Sequence, residues 1–213
     1  MEDEDEREEG MIKCTISASI RVTKGSLDNE LADAMIGFAK VNLLSPLKPI
    51  FFGSFNSRPI DNKSVQALVA NMEFVGVQSD RYENAIPLLV NPGDIDLSSI
   101  ERDITDISQA PDLKLTNESV EMFQAAGGRH RMEAVKVLNV RLEEKIEVLR
   151  RQIERLKIKK SNKNNERRQA LTQDLKILEA KMAGLGWWTV ILYNKGKVHL
   201  TKKFYGLLIF IYP

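Results

Sequence analysis

The sequence predicts an α+β fold in which short strands alternate with helices and which carries an antiparallel helical hairpin. Three observations lead to this prediction. Residues 12–22 alternate strictly between apolar and polar side chains, as in a half-buried strand. Residues 62–74 place apolar side chains at helical spacing. Two runs of apolar residues with four-three spacing, Leu142 to Leu156 and Leu171 to Leu185, are separated by a polar stretch.

Length and composition limit the number of domains and the classes of partner. A chain of 213 residues is long enough for one well-packed domain with an appendage. The net charge of +1 gives no general attraction to nucleic acid or to anionic membranes. The single cysteine, Cys14, lies on the apolar face of the 12–22 strand, so we expect a small core residue rather than a reactive thiol. No signal peptide or transmembrane segment is evident, which predicts an intracellular protein, cytoplasmic or nuclear, without a membrane partner.

The first sixty residues contain three predicted elements after a tail. Residues 1–10 are mostly acidic and are predicted to be a disordered tail. After the 12–22 strand, apolar residues at helical spacing predict a helix from Ser26 to about Val41, which Pro46 and Pro49 end. A short apolar strand is expected over residues 49–55.

The next sixty residues begin with well-marked elements and continue with weakly marked ones. Asp61 is a good N-cap for a helix over residues 62–74, and Gly76 follows that helix. A strand is expected over Ile86–Asn91, closed by the turn 91–94. Residues 95–115 predict only one helical turn near residues 98–102. The acidic side chains there could supply a Mg²⁺ ligand, although a solvated acidic loop is the simpler interpretation; they are Asp94, Asp96, Glu101, Asp103, Asp106 and Asp112.

A strand-to-helix turn at Gly127-Gly128 is the feature most suggestive of function. A short strand is predicted over residues 119–126, and apolar spacing from Met132 predicts a helix beginning at about residues 129–131. Three consecutive basic residues, Arg129, His130 and Arg131, then stand at the positive end of that helix, where cations are unfavourable. A bound anion would offset this cost, and a phosphate group fits the combination of glycines, N–H groups and guanidinium groups best.

The residues alone leave simpler interpretations open. The turn could be an exposed loop in which Arg129 pairs with a distant carboxylate, and His130 could be an ordinary surface or hydrogen-bonded histidine.

The segment Gly127–Ala134 resembles the glycine-arginine box of the ParB/sulfiredoxin superfamily, and we keep that name for it. The superfamily pattern Gly-x-x-Arg-x-x-Ala is met by Gly128, Arg131 and Ala134. An upstream segment is also similar: Arg58 to Asp61, a short helix, a turn at Gly76 and a strand led by Pro87. The resemblance covers roughly residues 50–140 and a final strand near Trp188.

The resemblance implies a domain organisation and a fold. A small mixed sheet with packed helices would be formed by residues 11–140 and 186–200. Residues 141–185 would be a helical-hairpin, coiled-coil insertion, and residues 201–213 an apolar C-terminal tail for which we have no explanation. The strand closing the sheet contains adjacent tryptophans, Trp187 and Trp188, which should point to opposite faces.

The resemblance also implies nucleotide binding. ParB proteins hydrolyse CTP through this box, sulfiredoxins use ATP to repair an over-oxidised cysteine, and other relatives phosphorylate small molecules. Sulfiredoxin activity is disfavoured here because Arg129 stands where that cysteine would be. The helix-turn-helix and dimerisation segments of ParB proteins are also missing between the closing strand and Pro213.

The implied function is therefore binding of ATP or CTP with Mg²⁺, with hydrolysis or phosphoryl transfer as the candidate activity. Gly127 and Gly128 would cradle phosphates, with Arg58 as a further contact. Arg129 and Arg131 would neutralise charge, and His130 would position a phosphate or relay a proton. Arg131 and His130 are thus the catalytic candidates, while the general base is left open among Asp61, Glu133 and the acidic residues of the 94–112 loop.

A non-catalytic module is the alternative function. In that case the helical hairpin would bind a partner protein, and the box would be a relic or a ligand-sensing switch. The basic tip of the hairpin could contact a phosphate backbone, but a solvated loop is the preferred interpretation; its cations are Lys157, Lys159, Lys160, Lys163, Arg167 and Arg168.

Overall fold

The computed structural model describes residues 32–46, 50–53, 59–116, 122–158 and 162–198. Its strands are β1 (Met35–Asn42), β2 (Ile50–Phe52), β3 (Ile86–Val90), β4 (Phe123–Ala125) and β5 (Trp187–Asn194). Its α-helices are α1 (Asn62–Val75), α2 (Arg129–Ile158), α3 (Asn162–Leu185) and the short α4 (Lys195–Val198). The prediction of an α+β fold is confirmed.

The five strands form one mixed sheet in the order β1-β5-β3-β4-β2. The outer pair β1 and β5 is antiparallel, whereas β5 and β3 are parallel. On the other side β3 and β4 are antiparallel, and the short pair β4 and β2 is parallel. The last of the described strands, β5, therefore lies inside the sheet, next to the strand that begins at Ile86.

Each face of the sheet is covered by a different part of the chain. On one face, alternate β5 residues such as Trp188 and Val190 pack against α1 and α2, whose buried side chains include Val69 and Val135. On the other face Ile191 belongs to a second cluster of buried residues. That cluster also contains Phe38, Leu89, Ala110 and Tyr193, with Ile104 and Ile107 against it. Strands buried on both faces explain why the sheet residues are largely apolar.

Several elements predicted from local sequence are present. Helix α1 has Asp61 as its N-cap and ends at Gly76, which adopts φ +87°. Strands β2 and β3 lie within their predicted ranges, and β5 begins at Trp187. The predicted turns become 3₁₀ turns at Pro92–Asp94 and Leu97–Ser99. Strand β4 lies within its predicted range of 119–126, of which residues 119–121 are outside the described residues.

The predicted helix from Ser26 to Val41 is wrong over its second half. Residues 32–34 are helical, but β1 begins at Met35. This strand is hydrogen-bonded on both edges, because β5 lies on one side and the Phe38 and Lys40 amides donate to Glu101 and Pro111 on the other. Its apolar residues face both cores, so they lack the strand-like alternation and imitate helical spacing. Tertiary pairing decides the conformation here.

Helices α2 and α3 pack against each other in antiparallel orientation. The pairing follows from contacts such as that of the Arg150 guanidinium with the Glu179 carboxylate at 2.7 Å. Val148 and Ile177 line one groove between the helices, while Ile153 and Thr172 line another nearer to the end of α2. Two adjacent antiparallel helices are thus present among the described residues, while their role as an insertion into a ParB/sulfiredoxin-like domain stays a prediction.

Several predicted features lie outside the described residues. They are the acidic tail, the 12–22 strand with Cys14, the hairpin-tip residues Lys159 and Lys160, and the apolar tail 201–213.

Candidate functional site

The glycine turn of the glycine-arginine box packs closely on β3. Gly128 has φ +85°, and a Cβ at this position would lie 2.8 Å from Cγ1 of the fully buried Ile86. A Cβ at Gly127 would lie 3.3 Å from Cγ of Pro87, and the amide of Ala126 donates to the Pro87 carbonyl at 2.9 Å. The strand-to-helix turn is confirmed. Its glycines have a packing reason that was not predicted, because Ile86 lies about forty residues earlier in the chain.

The basic residues of the box occupy the first turn of α2. The helix begins at Arg129, its first turn contains no acidic residue, and the Met132 amide donates to the Gly128 carbonyl at 3.0 Å. Arg129, His130 and Arg131 are all half-buried. A long helix carries partial positive charge at this end, so three basic side chains in its first turn add to the positive charge already there.

His130 joins the box to the upstream segment. Its Nε2 accepts a hydrogen bond of 3.0 Å from the backbone N–H of Asp61. In the neutral imidazole the proton therefore resides on Nδ1, since Nε2 must be the acceptor. Because Asp61 precedes α1, this bond places the N-termini of α1 and α2 side by side.

The Asp61 carboxylate serves as a helix cap. It accepts hydrogen bonds from the amides of Lys63 and Ser64, at 3.2 and 3.0 Å, and from the Ser64 hydroxyl. These bonds, with that of the Ser64 hydroxyl foremost, hold the pKa of Asp61 below its usual value of 3.8, and the nearby His130 contributes. A carboxylate with a lowered pKa is a weak proton acceptor, which disfavours Asp61 as a general base.

Two other box side chains contact neighbouring groups. The Arg131 guanidinium donates from Nη2 to the Glu83 carbonyl at 3.1 Å, which fixes it against the segment before β3. The Glu133 carboxylate pairs with Lys136 at 2.9 Å, one turn further along α2. Arg58, the predicted contact from the upstream segment, lies outside the described residues. The structure thus brings Gly127, Gly128 and the three basic residues together with Asp61.

Three of the loop acids, Asp94, Asp96 and Asp106, accept hydrogen bonds from neighbouring residues of the loop. Asp96 accepts a hydrogen bond from the Ser98 amide, and Asp106 accepts one from the Ser108 amide, each at 3.0 Å. In both cases the hydrogen bond from the serine side chain, Ser98 or Ser108, is the main reason that the pKa of the aspartate is lowered. Asp94 accepts from the Asn91 side chain at 2.8 Å. Within the described ranges, no three His, Cys, Asp or Glu side chains come together in a group that could hold a metal ion.

Comparison of the chain with protein-family models, with curated proteins and with solved structures gave no match. The assignment to the ParB/sulfiredoxin superfamily therefore stays a prediction. In the described part of the chain, no helix combines the length and apolar character that crossing a membrane requires.

Proposed function

We propose that the glycine-arginine box binds the phosphate groups of a nucleotide, ATP or CTP with Mg²⁺, in a domain of the ParB/sulfiredoxin type. The observation that carries the proposal is the hydrogen bond between the Asp61 amide and His130 Nε2. It brings together the two segments that resemble the superfamily, and it sets two helix N-termini next to three basic side chains. Anions bind at such places because backbone N–H groups and the helix dipoles favour negative charge.

Each residue of the box has a proposed role. The Gly127 and Gly128 backbone lies beside the phosphates, while Arg129 and Arg131 balance their charge. His130, held by the Asp61 amide, orients its Nδ1 proton toward a phosphate oxygen or passes a proton. Arg58 is the proposed contact from the upstream segment. The same residues would stabilise charge in nucleotide hydrolysis or phosphoryl transfer, for which no general base is assigned.

Calorimetric titration of ATP and CTP, each with Mg²⁺, tests this proposal. We expect the wild-type protein to bind one of them, and Arg131→Ala to weaken binding about 10- to 100-fold, the loss typical of a charge-assisted hydrogen bond. The double variant Arg129→Ala with His130→Ala should do the same. Arg151→Ala is a matched control, since Arg151 lies on the exposed surface of α2 and pairs with Glu147.

The outcomes of this experiment distinguish an enzyme from a nucleotide-binding module, and both from a protein that binds no nucleotide. Phosphate release that Arg131→Ala abolishes would assign an enzyme, whereas stoichiometric binding without turnover would assign a nucleotide-binding module. If the folded wild-type protein binds neither nucleotide, or if all variants bind as well as wild type, the proposal is wrong.

A second candidate function is a protein-binding module acting through α2 and α3. Val148 and Ile177 are 50% and 55% exposed, and together with Leu149 and Leu178 they line an apolar groove between the helices. Adjacent exposed apolar side chains are typical of surfaces that bind another helix. The basic tip gives less support to nucleic-acid binding, because Lys157 already pairs with Glu154.

Sedimentation velocity tests the simplest partner, a second copy of the chain. Concentration-dependent dimerisation should be lost in Val148→Lys with Ile177→Lys and kept in the control Val140→Lys, since Val140 is equally exposed on α2 but does not line the groove. A wild-type protein that stays monomeric at every concentration would exclude self-association.

A further inference from the structure

The N-termini of α1 and α2 lie side by side, but they differ in charge. The start of α1 is capped by the Asp61 carboxylate, which accepts hydrogen bonds from the Lys63 and Ser64 amides and from the Ser64 hydroxyl. Helix α2 begins with basic residues and has no acidic residue in its first turn. The positive end of α1 is therefore already paired with an anion that belongs to the protein.

Four backbone N–H groups at the start of α1 are engaged within the fold. Those of Lys63 and Ser64 donate to the Asp61 carboxylate, and that of Val65 donates to the Asp61 carbonyl at 3.0 Å. The fourth, that of Asp61, donates to His130 Nε2. A phosphate could reach the Lys63 and Ser64 amides only by displacing a carboxylate that the chain already holds in place. A phosphate at this junction is therefore confined to the α2 side.

The Asp61 carboxylate is a negative charge close to the glycine-arginine box. The hydrogen bonds from the Ser64 hydroxyl, first, and from the Ser64 and Lys63 amides hold its pKa below the usual 3.8, so it is ionised at neutral pH. The carboxylate is on the same residue as the N–H that lies 3.0 Å from His130 Nε2. This separation is shorter than the Debye length of about 10 Å at 0.1 M salt, so the charge acts on any ligand beside His130.

The effect of this charge depends on the charge of the ligand. Arg129 and Arg131 attract an anion at the box, whereas Asp61 repels it. Coulomb energies scale with the charges involved, so the repulsion grows from phosphate to pyrophosphate to tripolyphosphate. A Mg²⁺ ion bound to the ligand cancels part of that charge and reduces the repulsion.

We propose that Asp61 is a specificity-determining residue of the phosphate site, an inference that rests on the proposed function. Its carboxylate takes the place of a phosphate at the N-terminus of α1 and disfavours anions at the box in proportion to their charge. The box therefore selects a nucleotide complexed with Mg²⁺ over the metal-free nucleotide.

Calorimetric titration of wild type and Asp61→Asn with metal-free phosphate, pyrophosphate and tripolyphosphate tests this inference. Asparagine caps a helix as well as aspartate does, and the backbone N–H to His130 is kept, so the fold should be unchanged in thermal unfolding. We expect Asp61→Asn to bind pyrophosphate about three- to tenfold more tightly than wild type. The gain should be larger for tripolyphosphate, smaller for phosphate, and reduced by salt or Mg²⁺.

Asp96→Asn is the matched control for this experiment. Asp96 accepts hydrogen bonds from the amide and hydroxyl of Ser98, as Asp61 does from those of Ser64. It follows the Val90 end of β3, whereas the box packs on the Ile86 end. Removing its charge should leave the affinity for every anion unchanged.

The outcomes separate this inference from the proposed function. The inference is overturned if Asp61→Asn binds polyphosphates no more tightly than wild type, if the gain does not rise with ligand charge, or if Asp61→Asn binds the Mg²⁺ nucleotide less tightly. If wild type binds no nucleotide but Asp61→Asn binds pyrophosphate, the inference stands and the proposed function fails. If neither protein binds any of these anions, both are wrong. Adding Arg131→Ala to Asp61→Asn should remove the gain, which would locate it at the box.

Discussion

The backbone N–H of Asp61 donates to Nε2 of His130 across 3.0 Å, although the two residues are 69 positions apart. This bond fixes both the tautomer and the ring position of His130. It also ties the N-terminus of α1 to that of α2.

Replacing His130 tests the importance of this bond. His130→Ala should reduce the free energy of unfolding by about 1 kcal/mol, because the Asp61 amide is exposed and water can replace the lost acceptor. In wild type, ¹⁵N NMR of the neutral imidazole should show a protonated Nδ1 and an unprotonated Nε2. The opposite tautomer would contradict the observed bond.

Gly128 should be intolerant of a side chain. Gly128→Ala combines an unfavourable positive φ with a Cβ 2.8 Å from Cγ1 of Ile86, so we expect a loss of about 2–4 kcal/mol in urea unfolding. Gly184→Ala is the control, because no atom lies within 4 Å of its Cβ position and it is inside α3. That substitution should be neutral or stabilise by up to about 1 kcal/mol. Equal effects of the two changes would refute the packing explanation.

Apolar packing should dominate the attachment of α2 to the rest of the fold. Leu138 is 3% exposed in the core beneath α2, and Leu138→Ala should cost about 2–5 kcal/mol. Arg141 joins α2 to α1 through bonds to Glu73 and Gln66, at 2.9 and 2.8 Å, but these groups are exposed to solvent. Arg141→Met should therefore cost less than about 1 kcal/mol. A larger loss from Arg141→Met than from Leu138→Ala would reverse this ranking.

Stability should fall in acid because of the aspartate caps. The pKa of Asp96 and that of Asp106 are lower in the folded protein than the usual 3.8, so the folded state binds fewer protons than the unfolded state near that pH. The stabilisation is present above about pH 4 and is lost as the pH falls through the folded-state pKa values.

Urea unfolding between pH 6 and pH 3 measures this loss, and NMR titration of the side-chain carboxyls gives the pKa values directly. The double variant Asp96→Asn with Asp106→Asn should show a flatter pH dependence, because asparagine caps without titrating. Carboxyls that titrate at the usual value would contradict the prediction.

Local sequence was sufficient to predict elements whose ends and periodicity are set by their own residues. Asp61 and Gly76 mark the two ends of α1, and the apolar periodicity after Met132 locates α2. The glycine pair identifies the strand-to-helix turn. Adjacent positions in a strand face opposite sides, so the sequence also predicted that Trp187 and Trp188 would point to opposite faces. Trp188 is 1% exposed and its Nε1 donates to the Asn84 carbonyl, whereas Trp187 is 40% exposed.

Only the tertiary structure decided which distant residues meet. It made residues 35–42 a strand, because hydrogen bonding on both edges outweighs a local apolar spacing that also fits a helix. It placed Ile86 against Gly128, Asp61 against His130, and Lys40 opposite Thr189. Such contacts depend on strand order and register, which local propensity does not encode. The sequence by itself thus determined the local elements and the basic turn, while the fold decided the partners of His130 and of Gly128.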